Sequence, residues 1–161
     1  MSFEDAYLSF RDPLFHYLRR FAVDDDEAAD LTAKTFERAF VKLPSYRGGS
    51  DRLAAWLFRI ARSQAVDATR RRRPHRPLEL IRPEQHPLSE HGRPEPELLR
   101  AEASRELAQH VGQLPPLVRE CLALRYGACL SAREIGVVIG KSEAATQKMI
   151  SRALGRLRET Y

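Results

Sequence analysis

Arg59, Arg62, Arg70 and Arg73 fall on one stripe of the segment LAAWLFRIARSQAVDATRRRRPHRP, together with Ser63 and Val66. A guanidinium presents its N–H donors in a planar fork, a shape that suits phosphate oxygens. Arg70 to Arg73 add a dense positive end, which also complements the negative end of a helix. Leu53, Trp56, Leu57, Ile60 and Gln64 mark a different face of the same segment, and Trp56 reads there as core. The chemistry on offer is the binding of a polyanion, without bond making. The five histidines are scattered, with His75, His86 and His91 in or beside a proline-rich stretch, and no nucleophile, metal or phosphate-loop spacing occurs. We expect no catalytic residue, no metal and no cofactor. Cys121 and Cys129 have no histidine near them, so they read as small core or surface residues.

A second set of polar side chains lies in LSAREIGVVIGKSEAATQKMISRALGRLRET. Ser131 is placed to cap a helix, with Glu134 completing a capping box. Ile135, Val138 and Ile139 give that helix an apolar stripe. Gly140 suits a left-handed terminus, and Ser142 offers the next N-cap. Thr146, Met149, Ile150, Ala153, Leu154 and Leu157 recur at helical spacing, while Lys148, Arg152, Arg156 and Arg158 fall between them. Gly136 sits mid-helix, where glycine costs about 1 kcal/mol relative to alanine, and close approach of the second helix would explain it. The pattern is a helix-turn-helix, which points to double-stranded DNA; an ordinary helical hairpin with a basic solvated face fits the same residues.

These side chains need scaffolding, and the rest of the chain reads as helices. Phe3 to Phe21 form one, with a bend or a new start at Pro13. Asp24, Asp25 and Asp26 supply N-caps for another to about Leu43. PSYRGGSD, residues 44–51, is a turn-forming loop, and a long helix follows from about Arg52 to Arg73. From Pro74 to Pro96 six prolines forbid a continuous helix, and no alternation suggests strands. A helix at about 98–113, a break at Pro115 and Pro116, and a helix to about Tyr126 lead into the final pair. The expected fold is all-α: two small helical domains, 1–73 and 102–161, joined by a Pro-rich linker at 74–101, the second domain a helix-turn-helix.

Charge is distributed to match. Residues 1–73 carry fourteen Lys/Arg against eleven Asp/Glu, residues 102–161 nine against six, and the middle four against five. A polyanion held by both ends fits this pattern. Mean hydropathy is −0.47, and no apolar run approaches the roughly 20 residues that span a bilayer, so membrane insertion is not expected. The beginning of the sequence lacks a basic leader before an apolar stretch, so a cytoplasmic location is expected.

WLFRIARSQAVDATRRRR closely resembles the promoter-binding helix of bacterial sigma factors of the extracytoplasmic-function group. LPPLVRECLALRYGACLSAREIGVVIGKSEAATQKMISRALGRLR resembles that group's other conserved domain, and DDDEAADLTAKTFERAFVKL its helix for core RNA polymerase. Order, linker position and length all fit the group's minimal two-domain members. The resemblance implies an alternative sigma factor that binds core polymerase and promoter DNA, with an anti-sigma factor as a further partner.

Asp30, Leu31, Lys34, Thr35 and Phe36 fall on the helix that, in the family, docks on a coiled coil of the polymerase's largest subunit. Ala33 and Lys34 stand where glutamine and an acid are usual. The loop Arg47–Asp51, including Ser50, corresponds with Arg52, Arg59, Arg62, Ser63, Arg70 and Arg71 to the reader of the minus-ten element, which captures an unpaired base. Ser63 replaces the usual asparagine, and Asp67 is expected to orient Arg70 and Arg71. Lys141 to Arg152 correspond to the minus-thirty-five recognition helix. There Lys148 and Arg152 suit phosphate, while Glu143, Ala144 and Gln147 suit base edges, with Lys141, Ser142 and Ser151 beside them. Ala145, Thr146, Gln147 and Met149 replace commoner family residues, two of them basic, so an atypical preference or weaker binding is expected. The alternative reading is a stand-alone helix-turn-helix regulator that binds duplex DNA without polymerase.

Overall fold

The computed structural model describes residues 2–72 and 95–160. These residues form seven helices and, among them, no strand. The first lobe comprises α1 (Phe3–Arg19), α2 (Asp25–Lys42) and α3 (Leu53–Arg72). The second comprises α4 (Glu95–Gly112), α5 (Pro116–Leu122), α6 (Ala132–Ile139) and α7 (Glu143–Thr160).

Local chemistry starts and stops these helices much as expected. Ser2 caps α1 in a reciprocal capping box with Asp5. Asp24 caps α2 by accepting the Glu27 N–H at 2.8 Å. The helix runs unbroken through Pro13, so no new start occurs there. Proline removes one hydrogen bond there, but Leu14, Tyr17 and Leu18 after it, and Ala6 before it, are all buried and hold both halves to the core. Tight 3-10 turns, Leu43–Ser45 and Ser50–Arg52, lead from α2 to α3.

Of the linker expected at 74–101, residues 74–94 lie outside the described residues and 95–101 are helical. Pro96, expected to bar a helix, instead stands in the first turn of α4, where backbone N–H groups have no intrahelical partner to lose. Pro116 opens α5 for the same reason. Beyond α5 the chain continues through one π-helical turn, Ala123–Gly127. It then reaches Cys129, whose φ of 58° is left-handed.

The helix-turn-helix is built as the sequence implied. Ser131 and Glu134 make both capping-box hydrogen bonds, at 3.0 and 3.1 Å. Gly140 ends α6 at φ 74°, and Ser142 accepts the Ala145 N–H at 3.1 Å to start α7. A Cβ on Gly136 would come within 2.6 Å of the Lys141 carbonyl oxygen and 3.2 Å of the Thr146 hydroxyl. The two helices therefore cross where only hydrogen fits.

The cores are apolar and mostly aliphatic, with aromatic edges in the first lobe. Phe58, Leu14, Leu18 and Leu57 are fully buried there, as are Leu124, Leu130 and Ile135 in the second. α3 packs along α6, and α1 meets the π turn, so the two lobes share a face. Among the described residues no helix is long and apolar enough to cross a membrane.

Candidate nucleic-acid interface

α3 carries the first set of arginines. Its inward face holds Leu53, Leu57, Ile60 and, not foreseen, Phe58, Ala61 and Ala65. Arg59, Ser63, Asp67, Arg70 and Arg71 are exposed. Arg62 is different. It is half-buried, and its Nε donates to Glu120 Oε1 at 2.7 Å across the lobe boundary. Arg73 lies outside the described residues. The expectation that Asp67 orients Arg70 and Arg71 is corrected, since among the described residues it makes no ion pair with either. All three point into solvent, where such pairs are worth little.

Arg72 turns out to be structural. It pairs with Glu27 at 2.5 Å and donates to the Phe21 carbonyl at 3.2 Å, tying the end of α3 to the start of α2. A basic tetrad read from sequence thus splits: Arg70 and Arg71 face water, while Arg72, also at the surface, is committed to Glu27 and Phe21.

The loop before α3 frames a cavity of about 320 Å³, lined in part by Tyr46, Gly49, Ser50, Leu53 and Trp56. Tyr46 and Trp56 lie at a 31° tilt with ring centroids 4.6 Å apart. The Tyr46 hydroxyl donates to the Gly49 carbonyl at 2.6 Å, closing the loop on itself. Burial, and then the charge of Asp51, raises the Tyr46 hydroxyl above its ordinary pKa. Gly48 has a local reason to be glycine, since a Cβ would run into the Tyr46 ring. Gly49 has another, its φ of 73°. Ser50 lines the cavity, and Arg47 and Arg52 in the same loop are exposed. Trp56 is partly buried: it packs against the core, as expected, and also lines the cavity.

The α2 set divides in the same way. Leu31, Thr35 and Phe36 are buried, at 4%, 0% and 5% exposure, and the Thr35 hydroxyl is spent on the Leu31 carbonyl at 2.8 Å. These three side chains pack inward as core residues. Asp30 and Lys34 remain outside, paired with each other at 2.9 Å.

On α7 every expected contact residue reaches solvent: Lys141 and Ser142 in the turn, then Glu143, Ala144, Gln147, Lys148, Ser151 and Arg152. Gln147 donates to the Ser151 hydroxyl at 3.1 Å, so these two form a polar ridge. Thr146, Ile150 and Ala153 turn inward.

Tyr17, Glu120 and Tyr46 shape these surfaces and were not singled out in the sequence, where Arg72 figured only as part of a basic run. A charge inside the apolar run LPPLVRECLAL was the one available signal for Glu120. Among the described residues no group of three or more His, Cys, Asp or Glu could hold a metal.

Comparison with known proteins matches this geometry. Residues 6–75 match the family described as sigma-70 region 2, and residues 104–157 that described as sigma-70, region 4. The RNA polymerase sigma factor YlaC of Bacillus subtilis (strain 168) is 30% identical, over 94% of this chain and 87% of YlaC. The extracytoplasmic-function sigma factor BldN of Streptomyces coelicolor is also 30% identical, over 97% of this chain; the chain spans 59% of that relative's length. The sigma factor RpoE of Bartonella quintana, solved in complex with the anti-sigma factor NepR, has the same fold. Its TM-score is 0.69 at 22% identity, covering 98% of this chain and 94% of RpoE. The chain belongs to the extracytoplasmic-function group of the sigma-70 family, the alternative sigma factors that direct promoter-specific transcription initiation by core RNA polymerase.

Proposed function

We propose that the chain grips a promoter with two surfaces, one on each lobe. α3 and its preceding loop take the opened minus-ten strand: Arg59, Arg62, Arg70 and Arg71 bind phosphates, with Ser63 among them. Arg47, Ser50 and Arg52 guide an unpaired base to the cavity between Tyr46 and the loop. The observation that carries this reading is the cavity itself, lined by Tyr46, Trp56 and Phe3, with the exposed Arg47 and Arg52 in the adjoining loop. Aromatic faces stack on any base, and surrounding cations hold the backbone.

α7 enters the major groove of the minus-thirty-five duplex, with Glu143, Ala144 and Gln147 at base edges. Lys148 and Arg152 hold phosphates, and Lys141, Ser142 and Ser151 flank them. The complete exposure of this set supports the assignment. Joining two weak contacts in one chain raises avidity through effective concentration.

Core polymerase docks on the outer face of α2 through Asp30 and Lys34, while Leu31, Thr35 and Phe36 hold that helix in place. The chain works in the cytoplasm with no catalytic residue of its own, and an anti-sigma factor is its further partner, as NepR is for RpoE.

The test is initiation in vitro from candidate promoters by core polymerase, with and without this chain. Transcripts that depend on both components are expected. Binding to duplex promoter DNA with no association with core would favour a stand-alone regulator instead.

A further inference from the structure

Glu120 stands in an apolar helix and is only 6% exposed. Its Oε1 accepts the Tyr17 hydroxyl at 2.6 Å and Arg62 Nε at 2.7 Å, and Oε2 accepts an Arg62 terminal N–H at 3.4 Å. One residue earlier, the Arg119 carbonyl accepts from Arg20 at 3.2 Å. Tyr17 belongs to α1 and Arg20 caps its end, while Arg62 lies on α3 and Glu120 on α5, so both lobes meet on one carboxylate. The packing of α3 on α6 and of α1 on the π turn extends this seam. Burial first, and then the Glu120 charge, pushes the Tyr17 hydroxyl well up, so it remains a donor. Burial works against the Arg62 charge, but the hydrogen bond and charge of Glu120 outweigh it and raise its pKa.

We infer that Glu120 is a latch: it holds the second lobe against α3 and occupies the Nε–Nη2 edge of Arg62, so that this edge can take a nucleic-acid phosphate only after the lobes part. This rests on the reading of Arg62 as a minus-ten contact.

Glu120 occupies the Nε–Nη2 edge of the guanidinium, so a phosphate that takes that edge must displace the carboxylate. If a phosphate drew Arg62 away while the lobes stayed closed, Glu120 would be left as a buried charge without its cation, which is strongly unfavourable. Arg62 engagement and lobe separation are therefore one coupled equilibrium. The latch is also releasable. A buried ion pair returns little beyond its own desolvation cost, so it sets the register of two surfaces without cementing them. Arg59, Arg70 and Arg71 are exposed in the closed form, which leaves Arg62 as the masked member of the set.

The test uses the full chain with Glu120→Gln, which keeps the shape and a hydrogen-bond acceptor for Tyr17, and separately Tyr17→Phe. Small-angle scattering reads lobe separation, and fluorescence anisotropy reads binding of a labelled single-stranded DNA of mixed sequence. Glu120→Gln is expected to enlarge the radius of gyration and tighten DNA binding at least fivefold; Tyr17→Phe shifts both the same way by less. An unchanged radius, or DNA affinity that stays within twofold or falls, would overturn the latch. Adding Arg62→Ala to Glu120→Gln separates the two layers. Loss of the gained affinity supports both, whereas an open chain that keeps the gain removes Arg62 from DNA binding and leaves Glu120 as the closure. If Glu120→Gln melts without cooperativity, Tyr17→Phe carries the same prediction, because it leaves the buried ring in place.

Discussion

The arginines of α3 and the polar side chains of α7 are held in opposite ways. α7 displays its outer face to solvent, and the commitments of its contact residues are local, a cap and the Gln147–Ser151 hydrogen bond. α3 is entangled: Arg62 is bound to the other lobe and Arg72 to α2, while Arg59, Arg70 and Arg71 stay exposed. A surface for intact duplex can be kept ready, since duplex DNA presents its phosphates and groove edges at all times. The surface proposed for an opened strand has use only after the duplex melts, and part of it is engaged elsewhere until then. Basic residues of equal apparent value in a sequence thus have unequal availability in the folded chain.

The comparison breaks most severely if α7 loses its seat. Gly136→Val drives a side chain into the Lys141 carbonyl, and a crossing this tight has no slack. A loss of about 2–3 kcal/mol is expected in denaturant unfolding, with minus-thirty-five duplex binding abolished and the first lobe still helical by circular dichroism. Arg72→Ala comes next. Removing its bonds to Glu27 and Phe21 is expected to lower stability by about 1–2 kcal/mol. Arg70→Ala and Arg71→Ala should stay within about 0.5 kcal/mol of the parent, as exposed substitutions usually do. Thermal melting of the three side by side sharpens the division of the tetrad; equal losses would erase it.

Lys148→Ala with Arg152→Ala tests the displayed face. Removing each phosphate-binding side chain is expected to flatten the dependence of log affinity on log salt by about one unit, with little change between duplex sequences. Titrations at several salt concentrations check this, and a change in sequence preference would place these residues at base edges. Ser131→Ala probes the support beneath that face. It removes one half of a capping box and is expected to cost about 1 kcal/mol in thermal unfolding, with the DNA-facing side of α7 unaltered.

Much of the scaffold was legible in the sequence because it is set by local rules. Asp24, Ser131 and Ser142 cap their helices, Gly140 ends one, and the periodic apolar residues turn inward, each through neighbours within four positions. The proline rule misled at Pro13 and Pro96, where buried flanks and a first-turn position made the missing N–H tolerable. The candidate site was legible as a set of residues and illegible as a set of contacts. Arg62 meets Glu120 across 58 positions, and Arg72 meets Phe21 across 51, distances at which periodicity carries no signal. Likewise, resemblance marked α2 as a docking helix without saying which face is out, so Leu31, Thr35 and Phe36 were grouped with Asp30 and Lys34.

That the arginines of α3 open or hold the promoter, and do not merely support the fold, is tested most directly by Arg59→Ala with Arg62→Ala in holoenzyme reconstituted with core polymerase. Promoter opening is followed by permanganate reactivity of unpaired thymines, and core affinity is measured in parallel. Opening is predicted to fall by at least about tenfold, the loss of roughly 1.4 kcal/mol of strand binding, while core affinity stays close to that of the parent. An equal loss of core binding and opening would show these arginines to be structural and would contradict their proposed role at the promoter.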